Sequence, residues 1–289
     1  MSEEPIFNAA PGEKIEDSRS RLSIFFGVIG RKFWKLISIN LMFIVFNLPA
    51  IIIGFILSVF LMGLFSPAES NGTSADLLTQ LMIGTIPTVM FFMVVPTLTT
   101  GPAQAGLSYL MRCYTYEMPT FNWSDFKDKM KENMKQGIIV SLINLLILVF
   151  LLIDFYLYSR ITLTAGLALA VANGLLIIVF IIFLMMSLYL YPMMVTYTLR
   201  IRDIYKNAFL FAFARFIPNL AVLIICLLLI IGPTFLVQVT ANGLVLLLVY
   251  VFYLTFGFSL PGLLINFFIN PTIDKYLKKE SGDRSQESE

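Results

Sequence analysis

Six long apolar stretches without lysine or arginine determine what this 289-residue chain can fold into. A helix that crosses a bilayer needs about 20 mostly apolar residues. Hydrophobic residues make up 58% of the chain and charged residues only 13%, compared with about 25% charged residues in soluble domains. The sequence therefore predicts an all-α, polytopic membrane helix bundle with six spans. These spans cover residues 36–64, 78–111, 137–158, 165–191, 218–237 and 242–268.

The basic residues are divided unevenly between the two sides that six spans would create. Of the 20 lysines and arginines, 19 fall before the first stretch, between the second and third, between the fourth and fifth, or after the sixth. Arg160 alone falls on the other side. Cytoplasmic loops of membrane proteins carry an excess of lysine and arginine. We therefore expect a multi-pass protein of the cell membrane, surrounded by the lipid bilayer, with both termini in the cytoplasm.

Polar segments flank the apolar region at both ends. We expect a flexible tail over residues 1–17, a single membrane domain over 18–272 and a charged tail over 273–289. The chain begins with polar and acidic residues, unlike the basic start of a cleaved signal peptide, so the first span is expected to act as an uncleaved signal. Residues 18–35 mix basic and aromatic side chains. They can form an amphipathic helix on the inner membrane surface, or simply lead into the first span.

The residue patterns of common enzymes are missing from this sequence. The chain has no histidine, the usual general base and metal ligand. Its two cysteines, Cys113 and Cys226, do not form a C-x-x-C pair. The sequence also lacks a G-x-S-x-G turn and a Walker A motif. We therefore expect a non-enzymatic protein without a cofactor, a metal ion or a nucleic-acid partner.

The second apolar stretch is interrupted by prolines and ends in a short helix. Thr99 and Thr100 precede Gly101 and Pro102, a pattern typical of a helix that starts with proline in its first turn. From Gly101 to Arg112 such a helix is about 17 Å long, compared with a hydrocarbon core of about 30 Å. The proline-broken second span is therefore expected to have its break near the middle of the membrane.

The break has two interpretations. Exposed amino ends of broken helices bind polar or anionic ligands in transporters, and here Asn40, Asn47, Thr99, Thr100 and Gly101 would form the polar ligand site. Alternatively, the small residues at the start of this helix let another helix pack closely, and the asparagines bridge spanning helices. The residues alone favour helix packing over a ligand site.

The basic loop that follows predicts an amphipathic cytoplasmic helix. Asn122 or Ser124 can cap this helix, and apolar residues then recur every four positions. The apolar stripe can lie on the membrane, pack on the protein's own helices, or offer a docking surface to another protein. In the docking interpretation the contributing residues are Trp123, Phe126, Met130 and Met134, with Arg200, Arg202 and Lys206 from the next basic loop.

Several runs of residues resemble a known family. The runs GRKFWKLISINLMFIVFNLP, GPAQAGLSYLMRCY, FKDKMKENMKQG and YPMMVTYTLRIRDIYKNAF are similar to those of the YesL-like membrane proteins of Firmicutes. The resemblance covers roughly residues 22–268, and this chain has extra residues between Pro49 and Gly101. Members of this family of unknown function are often encoded beside carbohydrate ABC importers. The resemblance thus implies an accessory role in carbohydrate uptake and transfers no catalytic residue.

Two functional hypotheses follow from the sequence. The first is a non-enzymatic accessory or regulatory protein that binds the membrane subunits of a carbohydrate ABC importer through loops 112–136 and 192–217. The second is a small transporter or channel whose polar site lies at the broken second span. The sequence predicts no particular oligomeric state.

Overall fold

The computed structural model describes residues 21–65, 101–160 and 166–286, and within these ranges it is entirely helical. This confirms the predicted all-α fold class for the described residues. The helices are α1 (Arg21–Phe65), α2 (Gly101–Thr115), α3 (Asn122–Glu132), α4 (Met134–Arg160), α5 (Gly166–Thr196), α6 (Ile201–Ala214), α7 (Phe216–Thr240), α8 (Gly243–Phe256) and α9 (Ser259–Gln286).

Within the described residues, three helices are long and apolar enough to cross a membrane. They are Met134–Phe155 in α4, Ala170–Thr196 in α5 and Phe216–Thr240 in α7. The consecutive helices α8 and α9 meet at an angle of 50° and add a fourth span if the bent pair crosses as one unit. These helices coincide with the third to sixth predicted stretches and support the assignment as a multi-pass membrane protein.

Helix α1 runs without interruption from Arg21 to Phe65. The basic and aromatic segment that precedes the first predicted span is therefore part of the same helix as that span. Phe25 is buried and packs edge-on against Phe267 of α9 at a centroid distance of 5.3 Å. The described part of this segment, residues 21–35, thus leads into the span and packs on the protein itself.

Helix α2 lies at the centre of the described bundle. It packs against α1, α3, α4, α5 and α9. Five helices can surround one because α2 has small residues on several sides, among them Ala103, Ala105 and Gly106, all of which are buried. The larger residues Leu110 and Met111 are fully buried in the same core.

Helix α9 continues across the predicted domain boundary. Ile273 and Leu277 are spaced one turn apart on this helix and are both buried in the core. The expected boundary between residues 272 and 273 therefore falls inside α9, and at least the first turn of the expected charged tail belongs to the packed bundle. The helical spacing of these two apolar side chains explains why this part of α9 is buried, although charged residues follow it in the sequence.

Candidate functional site

The first candidate site is the predicted break, which the structure describes from Gly101 onward, and at Gly101 the backbones of two helices pack closely. A Cβ atom placed on Gly101 would lie 1.8 Å from the carbonyl oxygen of Gly137, so only glycine fits here. Gly137 lies near the start of α4, and Gly101 therefore lies beside the beginning of that apolar helix rather than beside its middle. Thr99 and Thr100, the other predicted members at the break, lie outside the described residues.

The side chain of Asn40 joins the two halves of the bent pair α8 and α9. Its Nδ2 donates to the carbonyl oxygens of Tyr253 at 3.0 Å and Leu254 at 2.7 Å. Its Oδ1 accepts from the backbone N–H groups of Phe258 at 2.8 Å and Ser259 at 3.0 Å. A break between helices leaves such groups without helical partners, and this one amide satisfies three of them. The fourth, the Tyr253 carbonyl, also accepts from the Gly257 N–H at 3.2 Å. The full hydrogen-bonding capacity of Asn40 is therefore used in holding three helices together.

Asn47 has a different environment two turns further along α1. Its Nδ2 donates to the carbonyl oxygen of Phe43 at 2.7 Å, one turn earlier in the same helix. The side chain is fully buried, and its Oδ1 has no hydrogen-bond partner in the described part of the chain. Of the predicted polar ligand site, Asn47 is thus the described member that keeps an available polar atom.

Helix α3 begins where the loop was predicted to become helical, but its amino end is not capped by the predicted side chains. Phe121 occupies the cap position, where no side chain accepts a hydrogen bond from the helix. The Asp125 carboxylate instead accepts from the backbone N–H of Phe121 at 2.8 Å. Asn122 is used elsewhere, because its Oδ1 accepts from the Tyr114 hydroxyl at 2.7 Å and so ties α3 to α2.

The apolar stripe of α3 is divided between the core and the surface. Phe126 is fully buried, with its ring 5.4 Å from that of Phe46 and its backbone against Gly106. Met130 is partly buried against the same core. Met134, the third residue of the predicted stripe, is exposed and belongs to α4, because α3 ends at Glu132. The inner part of the stripe thus packs on the protein's own helices.

The outer face of α3 carries a tryptophan followed by lysines. Trp123 packs against Phe46 with a distance of 5.7 Å between ring centroids, but its side chain remains 58% exposed. Lys127 and Lys131 follow at intervals of one turn, are exposed and make no ion pair with any residue that the structure describes. We call Trp123, Lys127 and Lys131 the α3 surface.

The basic residues of the second loop belong to α6. Arg200 is the residue before the first helical turn, and its side chain makes no capping hydrogen bond. Arg202 and Lys206 lie one turn apart on the exposed side of this helix. The structure thus separates the predicted docking residues into two surfaces, one on α3 and one on α6.

A cluster centred on Asp274 was not singled out from the sequence. The Arg112 guanidinium donates to both carboxylate oxygens of Asp274, at 3.0 and 3.1 Å. The hydroxyls of Tyr116 and Tyr197 donate to the same carboxylate at 2.5 and 3.1 Å. Burial and the hydrogen bond to Asp274 raise the pKa of Tyr116. Burial and the charge of Asp274 raise the pKa of Tyr197 to about 12.

This Asp274 cluster connects the middle of α9 to the carboxyl ends of α2 and α5. The side chains of Arg112 and Asp274 are only 17% and 24% exposed. Asp274 is preceded and followed by the apolar residues Ile273 and Leu277 at helical spacing, and this pattern is the sequence signal that could have placed it in the bundle. Its partners are far from it in the sequence, so the ion pair could not be predicted from the sequence alone.

A small cavity lies between the same three helices. It has a volume of about 30 Å³, and its polar lining comes from Gln104 and Ser108 of α2, Ser187 of α5 and Asn266 of α9. This volume is enough for about one or two water molecules and far below the roughly 300–1,000 Å³ of pockets that hold organic ligands. Ser108 donates to Asn266 Oδ1 at 3.2 Å, which keeps the polar groups paired across the α2–α9 contact.

The described residues offer no cluster for a metal ion. Within residues 21–65, 101–160 and 166–286, no group of three or more cysteines, aspartates and glutamates comes together. Cys113 and Cys226 are both buried free thiols. What these ranges do present is a set of hydrogen-bonded helix contacts, with a few buried polar atoms such as Asn47 Oδ1 left unpaired, and two exposed surfaces that carry cations.

No family model, curated protein or solved structure matches the chain.

Proposed function

We propose that this chain is a non-enzymatic accessory or regulatory membrane protein that binds the membrane subunits of a carbohydrate ABC importer through the α3 surface. The choice of an importer as the partner rests on the resemblance to the YesL-like family. One structural observation carries the proposal: Phe126 fixes α3 against the protein core, while Trp123 on the same helix stays 58% exposed beside Phe46. A rigid helix that presents a half-exposed tryptophan flanked by cations is suited to protein recognition, because aromatic anchors on rigid elements dominate interface energies.

The proposal includes a topology of six spans with both termini in the cytoplasm of a plasma membrane. It rests on the 19 basic residues on one side and on the three or four apolar helices that the structure describes. Reporter fusions test it. A fluorescent protein that folds only in the cytoplasm is expected to be active when fused after Glu289, and inactive when inserted between Asn71 and Gly72. The reverse pattern, or activity at both positions, contradicts the topology.

Co-purification from the native membrane tests the partner. Tagged protein is extracted in mild detergent, and co-eluting subunits are identified for the wild type and for the triple variant Trp123→Ala, Lys127→Gln, Lys131→Gln. We expect importer membrane subunits with the wild type and a loss of at least about tenfold with the variant, since removal of an interface anchor costs about 2 kcal/mol or more.

The matched control is Trp34→Ala with Lys35→Gln. Trp34 is the other tryptophan of the chain, 79% exposed, and lies on α1 away from the α3 surface. This variant is expected to retain the partner. Recovery of the wild-type protein without any importer subunit, or equal loss in both variants, contradicts the proposal.

The second candidate function is a small transporter or channel whose polar site includes Asn40, Asn47, Thr99, Thr100 and Gly101. It is favoured by one observation, the buried Oδ1 of Asn47 without a partner. Flux of labelled sugars or monovalent ions into proteoliposomes tests this function. Flux that is abolished by Asn47→Leu supports a transporter or channel. Flux equal to that of empty liposomes contradicts this second candidate function.

A further inference from the structure

Helix α6 has one buried face and one exposed face of unusual composition. Ile204, Ala208 and Phe211 face the core. The exposed face starts with Arg202 and Lys206 and continues at helical spacing with Phe209 and Phe213, which are 48% and 49% exposed. These two phenylalanine rings pack on each other at 4.8 Å between centroids. The exposed face is therefore basic at one end and apolar at the other.

The apolar end of this face continues directly into a membrane span. Helix α7 starts at Phe216, two residues after α6 ends at Ala214. Phe216 and Ile217 are exposed, and so are Ile224 and Leu228 further along α7. Because Phe216–Thr240 is long and apolar enough to cross a membrane, we expect its exposed apolar residues to face lipid. The apolar end of α6 directly precedes that helix in the chain, with the exposed Arg215 between them.

We propose that the exposed face of α6 binds an anionic phospholipid, with Arg202 and Lys206 at the headgroup and Phe209 and Phe213 along the acyl chains. Charge complementarity identifies the headgroup, since both cations are exposed and neither makes an ion pair among the described residues. The distance from Lys206 to Phe213 along the helix is about 10 Å, a separation that one phospholipid can span from its headgroup to its acyl chains.

The composition of the two basic surfaces explains why lipid is assigned to α6 and a protein partner to α3. On α3, the exposed Asp128 and Glu132 alternate with Lys127 and Lys131, so the face has both signs of charge. On the exposed face of α6, cations are followed by phenylalanines. In the sequence, the carboxylate nearest to these cations is that of Asp203. It is partly buried in the first turn of α6, where a negative charge interacts favourably with the positive end of the helix dipole. The lipid site is thus independent of the proposed importer partner.

Native mass spectrometry of the full chain in detergent tests the site. Phosphatidylglycerol and phosphatidylcholine with identical acyl chains are titrated, and the apparent Kd of each is measured. We expect tighter binding of phosphatidylglycerol by the wild type. The variant Arg202→Gln, Lys206→Gln is expected to bind phosphatidylglycerol about 25-fold more weakly, since each cation near a headgroup contributes about fivefold, and to bind phosphatidylcholine unchanged.

The control variant Lys127→Gln, Lys131→Gln removes the same charge from α3 and is expected to keep the wild-type affinity. A second variant, Phe209→Ser with Phe213→Ser, is expected to weaken both lipids, because the acyl-chain contact is common to them. Equal loss of phosphatidylglycerol in the α3 and α6 charge variants overturns the proposal in favour of a general charge effect. Displacement by inorganic phosphate overturns it in favour of a free-anion site. Wild-type lipid affinity in the α6 charge variant, accompanied by loss of a co-purifying protein, overturns it in favour of protein docking.

Discussion

Gly101 and Gly137 pack backbone to backbone and join the first turn of α2 to the start of α4. A Cβ atom on Gly101 would lie 1.8 Å from the Gly137 carbonyl oxygen, and one on Gly137 would lie 2.6 Å from the carbonyl carbon of Gly101. Both distances are far shorter than a van der Waals contact, and the opposing atoms are backbone atoms that cannot move aside. The central helix α2 therefore depends on two glycines for its position.

We expect Gly101→Ala to destabilise the protein by about 3 kcal/mol or more, because an added methyl group forces backbone shifts in a packed core. Thermal unfolding in detergent measures this effect. Gly174→Ala in α5 is the matched control, since a Cβ there meets nothing within 4 Å. This control is expected to be neutral or to stabilise α5 by up to about 1 kcal/mol through helix propensity. Equal melting temperatures for the two variants would show that the close approach does not exist.

Asn40 is expected to be the most sensitive polar residue of α1. Asn40→Leu removes four hydrogen bonds at the break between α8 and α9. Three backbone groups lose their partner, whereas the Tyr253 carbonyl keeps the Gly257 N–H. Side-chain hydrogen bonds in membrane proteins contribute about 0.6 kcal/mol on average and up to about 1.7 kcal/mol. We therefore expect a loss of about 2–3 kcal/mol in the free energy of unfolding, measured by denaturant titration in mixed micelles.

Asn47→Leu serves as the comparison for this prediction. The Asn47 amide makes one hydrogen bond within its own helix and leaves its Oδ1 without a partner, so its replacement removes an unsatisfied buried group. We expect a change of less than about 1 kcal/mol. A cost for Asn47→Leu as large as that for Asn40→Leu would mean that Asn47 has a structural partner of equal importance.

The sequence could predict the helices of this fold because long apolar runs determine them locally. The stretches 137–158, 165–191 and 218–237 correspond to spans in α4, α5 and α7. The sequence could not predict which of the polar residues are structural. Asn40 bonds to residues more than 200 positions away, and the same asparagine would fit a ligand site equally well until α8 and α9 are seen beside it.

The Asp274 cluster illustrates a second limit of local reasoning. Charged residues that follow Asp274 made residues 273–289 resemble a solvated tail, although Ile273 and Leu277 follow the spacing of a buried helix face. Local composition and local periodicity thus pointed in opposite directions at this position. Tertiary packing determines the outcome, because the Asp274 carboxylate binds Arg112 and two tyrosines from other parts of the bundle.

A double-mutant cycle is expected to show coupling between Arg112 and Asp274. Removing either partner leaves the other charged group in a site that is about four-fifths buried, whereas Arg112→Gln with Asp274→Asn leaves two neutral groups. The double variant should therefore be more stable than the sum of the single effects predicts, by about 2 kcal/mol. Strictly additive losses in unfolding experiments would show that the ion pair is not formed.

Tyr197 gives the cluster a dependence on alkaline pH. Burial and the charge of Asp274 raise the pKa of Tyr197 to about 12, compared with about 10 for an unfolded tyrosine. Below pH 10 the residue is protonated in both states, and its hydrogen bond to Asp274 contributes fully to stability. Above pH 10 the unfolded chain loses this proton while the folded protein retains it, so the contribution falls as the pH rises towards about 12.

Tyr197→Phe separates this contribution from the titration of the other tyrosines and lysines. The variant lacks the hydrogen bond of 3.1 Å to Asp274 and should melt at a lower temperature than the wild type at every pH below 10. The difference in melting temperature is expected to be constant between pH 7 and pH 9 and to shrink as the pH passes from 10 to 12, because only the wild type has the titrating hydroxyl. A difference that stays constant up to pH 12, or grows, contradicts the raised pKa of Tyr197.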